Sequence, residues 1–150
     1  MAVIQLEEIE RIVEIKKGEK TLTLFVHEPS AGVLLAVHEV QVRQNKNQKE
    51  LNKTSSEIEK ETDEERKTEL SEKYQSLESE ATKTAYDFIK CMVSNYSEIE
   101  NELKYININY LGQIVQAVQA EFSKTTDSKK KLVPLSKKNS GELNSEKQAI

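Results

Sequence analysis

The residues best suited to acid–base, nucleophilic or metal chemistry are few and widely spaced in this sequence. His27 and His38 are the only histidines, and they do not have the His-x-x-x-His spacing that places two imidazole ligands on one helix face. The acidic run over residues 57–69 lacks the alternating Asp or Asn ligands and the glycine of a calcium loop. No glycine-rich phosphate loop is present. We therefore predict that the chain is not an enzyme and has no catalytic, metal or cofactor site.

Cys91 is the only cysteine, so it cannot form a disulfide within the chain, and a reducing compartment fits best. It lies beside Met92 in an apolar helical pattern, where a buried structural thiol is more typical than a nucleophile. Tyr105 and Tyr110 flank an asparagine-rich stretch. We expect these tyrosines to pack at the edge of the core rather than to stack on bases.

The composition indicates a mostly helical protein with a small core. Of 150 residues, 36% are hydrophobic and 32% are charged, and there are only four glycines and two prolines. Glycine and proline cost the most inside a helix, so their scarcity favours helix. The net charge of −4 does not suggest a nucleic-acid binder. No apolar run approaches the ~18 residues of a membrane span and no secretory signal is visible, so we expect a soluble cytoplasmic protein with no membrane partner.

A β-hairpin is predicted over residues 9–26. Apolar side chains at Leu22, Leu24 and Val26 alternate with their neighbours, and Gly18 supplies a turn between two β-branched runs. A lone hairpin is marginally stable in water, so a helix must cover one of its faces.

The strand-to-helix joint over residues 28–32 begins that helix. Pro29 cannot donate to a strand ladder, and Ser30 is placed to cap the following helix. Val33, Leu34, Val37 and Val40 form an apolar stripe at helical spacing, which Leu35 and Ala36 widen. We interpret the joint as architectural and the stripe as buried.

A charged excursion over residues 45–70 interrupts the apolar pattern and is either a solvated helix or disordered alone. A turn is predicted near residues 54–56, with Ser55 or Ser56 as a cap. Helical periodicity then predicts a long helix over 58–93, antiparallel to the extension of the first helix. The two helices would project from the core as a pair.

Two further helices close the predicted domain. Ser97 and Glu100 match a capping box for a short helix that ends near Lys104. Asn107 or Asn109 can cap a last helix, whose buried face holds Leu111, Ile114, Val115, Val118 and Phe122.

The fold class that we predict is α+β and mostly α. It consists of an N-terminal hairpin packed on helices, a projecting antiparallel helical pair and a disordered C-terminal tail. The hairpin-plus-helices domain covers residues 1–122. Residues 123–150 hold seven lysines and form the flexible basic tail.

Two segments resemble the tail assembly chaperones of long-tailed bacteriophages. The first is LTLFVHEPSAGVLLAV, in which the family-like joint consists of Glu28, Pro29, Ser30, Ala31 and Gly32. The second is YININYLGQIVQAVQAEF, similar to the closing helix of that family. There, Asn109 stands where the family often has an aspartate, and Phe122 is the closing aromatic residue.

The resemblance implies a non-enzymatic phage protein of the bacterial host cytoplasm. Such a protein binds the tape-measure protein, assists recruitment of tail-tube protein and leaves before the virion is complete. A chaperone needs apolar surface that can be exchanged between self-association and client, so a homo-oligomer is compatible with this role. The candidate residues for that surface are Val33, Leu34, Val37, Leu111, Ile114 and Val118.

Two alternatives remain open from the residues. One is a bacterial helical adaptor or scaffold protein. The other, less favoured, is a nucleic-acid accessory protein that uses the basic tail, although lysines without interleaved arginine or aromatic residues are a weak signal.

Overall fold

The computed structural model of this chain describes residues 1–125 and has an α+β, mostly helical fold, which confirms the predicted class. Residues 126–150 of the predicted disordered tail lie outside the described residues. The elements run in the order β1 (Ile12–Lys17), β2 (Lys20–Phe25), α1 (Ala31–Lys60), α2 (Glu64–Met92), α3 (Tyr96–Lys104), a 3-10 turn (Ile108–Tyr110) and α4 (Leu111–Phe122). All of them belong to one compact unit, Arg11–Phe122, while Met1–Glu10 belongs to a separate unit.

The hairpin forms where the alternating pattern predicts it. β1 and β2 pair antiparallel, with Val13 opposite Leu24 and Ile15 opposite Leu22. Gly18 in the two-residue turn has a φ of 61°, the left-handed conformation that glycine adopts without a Cβ clash. One face of the hairpin therefore presents its apolar side chains to the core.

Helix α1 begins at the predicted joint. The Ser30 hydroxyl accepts a hydrogen bond from the Val33 amide at 3.3 Å, which confirms Ser30 as the cap. Val40 is buried, and Val33 and Val37 are half-buried against the core. The expectation that Leu34 and Leu35 join this buried stripe is wrong. The core contacts only one side of α1, and both leucines lie on the other side of the helix.

The turn between the two long helices lies at residues 61–63, not at 54–56 as predicted. α1 continues to Lys60, and Asp63 caps α2 by accepting a hydrogen bond from the Glu65 amide at 3.2 Å. Thr54 is completely buried inside α1, which explains the misplaced turn. A small side chain in the contact between two helices is compatible with helix, even though Ser and Thr clusters are typical of turns.

The two long helices run antiparallel, as predicted. Two ion pairs between the helices show this direction: Arg43 of α1 pairs with Asp87 of α2, and Glu50, later in α1, pairs with Lys73, earlier in α2. Leu51 on α1 and Leu70 on α2 are buried in the charged excursion. They lie outside the main apolar cluster, so the outer part of the pair has an apolar contact of its own.

The main core sits where α2 meets the hairpin and the C-terminal helices. Phe88, Ile89 and Met92 of α2 are buried against the apolar face of α4. Asn107, one of the two predicted caps of the last helix, caps the 3-10 turn that leads into α4, and its side chain accepts a hydrogen bond from the Asn109 amide at 2.9 Å. The predicted capping box at Ser97 is wrong, since α3 begins at Tyr96 with Asn95 at the cap position.

Candidate protein-interaction surfaces

The described residues hold no cluster suited to metal binding. Within residues 1–125, no group of three or more His, Cys, Asp or Glu side chains could hold a metal ion. Burial, the largest cause, raises the pKa of the Cys91 thiol, which also donates a hydrogen bond to the Phe88 carbonyl at 3.3 Å. None of the helices in this part of the chain is both long and apolar enough to cross a bilayer.

The six predicted partner-binding residues do not form one surface. Leu111 and Val118 are buried in the core, and Ile114 is also buried but lines a hollow between β1 and α4. Val33 and Val37 are half-buried against the same core, and Leu34 alone of the six is exposed. The periodicity that marked these residues as apolar could not separate the side of a helix that faces the core from the side that faces solvent.

The family-like joint over residues 28–32 is exposed along its length. Ser30 has the structural role of a helix cap. A Cβ added at Gly32 would meet no atom within 4 Å, so packing does not require glycine there. The joint is held in place by its neighbour, since the His27 amide donates a hydrogen bond to the Met92 carbonyl at 2.7 Å.

The first exposed apolar surface is the α1 stripe, formed by Leu34, Leu35 and Val42. Their side chains are 49%, 67% and 51% exposed. At 100° per residue these three positions fall within an arc of about 100° on the helix, and Leu35 and Val42 are two turns apart. A short apolar stripe of this kind matches the surface that an amphipathic helix contributes to a helix–helix contact.

The second surface is the hairpin groove, a hollow of about 540 Å³ between β1 and α4. Val13 and Ile15 line one wall, and Ile106, Ile114 and Ala117 line the other. A neighbouring hollow of about 590 Å³ shares Ile15, Lys17 and Ile106 with the groove and continues it along residues 20–22 of β2.

Aromatic and basic side chains surround the hairpin groove. The expectation that Tyr105 and Tyr110 pack at the core edge is wrong, because Tyr105 is 86% exposed and Tyr110 is also exposed. Exposed tyrosines beside an apolar hollow are typical of protein interfaces, where they contribute large contact area. Lys16 and Lys17 lie along the groove together with Glu14, and Lys20 lies along its continuation together with Glu102, so lysines outnumber glutamates at this rim by one in an acidic chain.

The two edges of the hairpin differ. The segment after α2 covers the outer edge of β2: the Ser94 amide donates to the Phe25 carbonyl at 2.8 Å, and the Asn95 amide group donates to the Thr23 carbonyl at 2.9 Å. Asn95 Oδ1 also accepts a hydrogen bond from the Phe25 amide at 3.0 Å. In residues 1–125, β1 pairs with β2 alone, so its other edge is open beside the groove.

The segment YININY indicates the hairpin groove, although its asparagines first suggest only a helix cap. The segment YININY alternates large apolar or aromatic residues with asparagine between α3 and α4. Three of its large side chains, at Tyr105, Ile108 and Tyr110, are exposed. Such a cluster of exposed apolar groups in a connection is a stronger indicator of an interaction surface than of a core edge.

A scan against protein-family models, a search of curated proteins and a search of solved structures each found no match for this chain.

Proposed function

We propose that this chain is a non-enzymatic tail assembly chaperone of a long-tailed bacteriophage that binds a helical segment of the tape-measure protein. The observation that carries the proposal is the α1 stripe. It is an exposed apolar surface on the helix that directly follows the family-like joint, and it includes Leu34, one of the residues expected to bind the client.

The geometry of the α1 stripe suits a helical client. Leu35 and Val42 are separated by two helical turns, or about 10 Å, which matches the i to i+7 spacing of anchor residues on an amphipathic helix. Contact with such a helix would remove three large apolar side chains from water, and each is worth about 1.5–3 kcal/mol when buried completely.

The charged helical pair suits the solubility that a chaperone must give its client. Beyond the α1 stripe, the exposed faces of α1 and α2 carry mostly Lys, Glu, Asn and Gln. A complex that buries the apolar segments of a long helical protein and presents these charged faces would resist aggregation.

Co-expression of the full chain with tape-measure fragments tests the proposal. We expect a complex that withstands high salt, because apolar contacts are not screened as surface ion pairs are. Leu35→Asp combined with Val42→Asp should abolish the complex and leave the fold intact, since both side chains are exposed. Ile108→Asp is the matched control, because it places the same charge at an exposed apolar residue far along the chain, in the 3-10 turn.

The helical pair also favours a second candidate, a helical adaptor or scaffold. α1 contains 30 residues and would span about 45 Å, which is long enough to separate two partners. If the chain neither binds nor solubilises the tape-measure protein, and no tape-measure gene lies immediately downstream, the adaptor function replaces the chaperone.

A further inference from the structure

We propose that the hairpin groove binds the N-terminal segment Met1–Glu10 of a second copy of this chain, which pairs as a strand with the open edge of β1. This self-association goes beyond the proposed client binding and uses a different surface, so either can fail without the other. The argument rests on the groove, on the chemistry of the segment and on the register that matches them.

The groove provides both elements of strand addition. An open strand edge supplies main-chain donors and acceptors, and pockets along it receive alternate side chains. Here the open edge belongs to β1, and Val13 and Ile15 present apolar side chains to the hollow beside it. Ile114 and Ala117 of α4 form the opposite wall.

The segment Met1–Glu10 has the composition of an unpaired strand. Val3, Ile4 and Leu6 are all more than 80% exposed, which is a large apolar surface for ten residues. Three glutamates, at positions 7, 8 and 10, make the segment acidic, opposite in charge to the lysines along the groove. The segment contains no Gly, Pro, Asn or Asp, so it lacks the usual residues for a chain reversal that would return it to its own strand.

One register matches residues 3–8 of the segment to β1. When the segment runs parallel to β1 with residue i beside residue i+9, three apolar residues meet apolar residues and Glu7 and Glu8 meet lysines, while Glu10 lies opposite Glu19 in the hairpin turn, beyond the end of β1. The pairs are Val3 with Ile12, Ile4 with Val13, Gln5 with Glu14, Leu6 with Ile15, Glu7 with Lys16 and Glu8 with Lys17. Such neighbouring pairs on one face are what stabilises strand pairing.

The exchange gives a head-to-tail contact between copies. Each copy carries one groove and one segment, so it can accept the segment of one neighbour and donate its own segment to another. The open edge of β1 would then be paired, which removes a site for uncontrolled edge-to-edge aggregation.

Sedimentation of the full chain and of charge-reversed variants tests this proposal. The wild-type chain should self-associate. Glu7→Lys with Glu8→Lys, and separately Lys16→Glu with Lys17→Glu, should each weaken self-association at least about tenfold, which corresponds to about 1.4 kcal/mol. A mixture of the two variants should associate again, because each segment then meets a groove of opposite charge. Neither intramolecular docking nor a general charge effect predicts recovery only on mixing.

The apolar part is tested by Ile4→Asp with Leu6→Asp, which should give a monomer. Val42→Asp is the control, because it adds a charge at an exposed apolar residue outside the groove. A wild-type monomer, an assembly that persists in the Ile4→Asp/Leu6→Asp variant, or no recovery on mixing would each overturn the proposal.

Discussion

Arg11 donates a hydrogen bond from Nη1 to the main-chain carbonyl of Phe122 at 3.1 Å, which joins the residue before β1 to the last residue of α4. The same nitrogen donates to the Glu121 carbonyl at 2.7 Å. The last carbonyls of a helix have no hydrogen-bond partner within the helix. A cation placed there also interacts favourably with the partial negative charge at the C-terminal end of the helix dipole. Arg11 is buried, so this contact connects the two ends of the compact unit in a place shielded from water.

Arg11→Leu should therefore lower the free energy of unfolding by about 2–3 kcal/mol, since hydrogen bonds to charged groups contribute about 1.5–3 kcal/mol. Urea denaturation measures the change. Arg66→Leu is the control, because Arg66 forms only an exposed pair with Glu69 and its loss should cost less than about 0.5 kcal/mol. Equal effects of the two substitutions would contradict the capping role of Arg11.

Asn95→Asp should destabilise the protein although it changes one atom of the side chain. The aspartate can still accept from the Phe25 amide, but it loses the donor to the Thr23 carbonyl and places a negative charge beside that oxygen. A loss of about 1–3 kcal/mol is expected, because a partly buried acceptor is left unpaired. Asn101→Asp, at an exposed position of α3, should be nearly neutral in the same thermal melts.

Two substitutions on α1 distinguish its core side from its exposed side. Val40→Asp should cost about 3–5 kcal/mol, because it leaves an uncompensated charge in the core. Leu35→Asp should change stability by less than about 0.5 kcal/mol, as is usual for an exposed site. Circular dichroism during urea unfolding measures both, and a large loss from Leu35→Asp would show that the α1 stripe is buried rather than exposed.

The Cys91 thiol should react slowly with a disulfide reagent in the folded protein. Burial disfavours the thiolate and raises the pKa of this thiol, so the reactive form is scarce until the pH exceeds the ordinary thiol value. The folded state has the higher pKa, so the contribution of Cys91 to stability is complete below the unfolded-state pKa and is lost as the pH rises through the folded-state pKa. Labelling rates of the folded and the urea-unfolded chain at several pH values measure this.

A cysteine at an exposed position provides the comparison for Cys91. Val42→Cys in a Cys91→Ser background should react at a rate close to that of the unfolded chain. If native Cys91 reacted as fast as that exposed cysteine, the assignment of a protected structural thiol would be wrong.

Residue patterns over a few neighbouring positions correctly predicted the strands, the turn and the first helix start. The alternation that ends at Val26 and the turn at Gly18 define the hairpin, and Ser30 marks the start of α1. Each of these signals depends on residues within a few positions of one another, so it can be recognised from the sequence alone.

The errors arose where distant residues decide the outcome. Thr54 is helical because it packs into the contact between α1 and α2, and a cluster of Ser and Thr read locally predicts a turn instead. Ser97 matches a capping pattern, but Asn95 takes the cap position while its side chain binds β2. The Arg11 contact crosses more than one hundred residues, so no local pattern could have indicated it.

Apolar spacing could not distinguish exposed candidates from buried ones. It selected both Leu34, which is exposed, and Val118, which is completely buried. The hairpin groove depends on β1 and the α3–α4 connection lying side by side, and that arrangement follows from tertiary packing rather than from either segment.

The hydrogen bond between the His27 amide and the Met92 carbonyl joins the start and the end of the helical pair at its base, beside the hairpin. The chain leaves β2, follows α1 outward and returns along α2 to lie directly beside the strand that it left. Equal insertions or deletions in α1 and α2 next to the distal turn over residues 61–63 would leave the contact at the base of the pair unchanged. The entropic cost of closing a loop grows only logarithmically with its length, at roughly 0.6 kcal/mol for each doubling, so such changes cost little stability. The length of the helical pair α1–α2 can therefore change during evolution while the hairpin and the C-terminal helices keep their geometry.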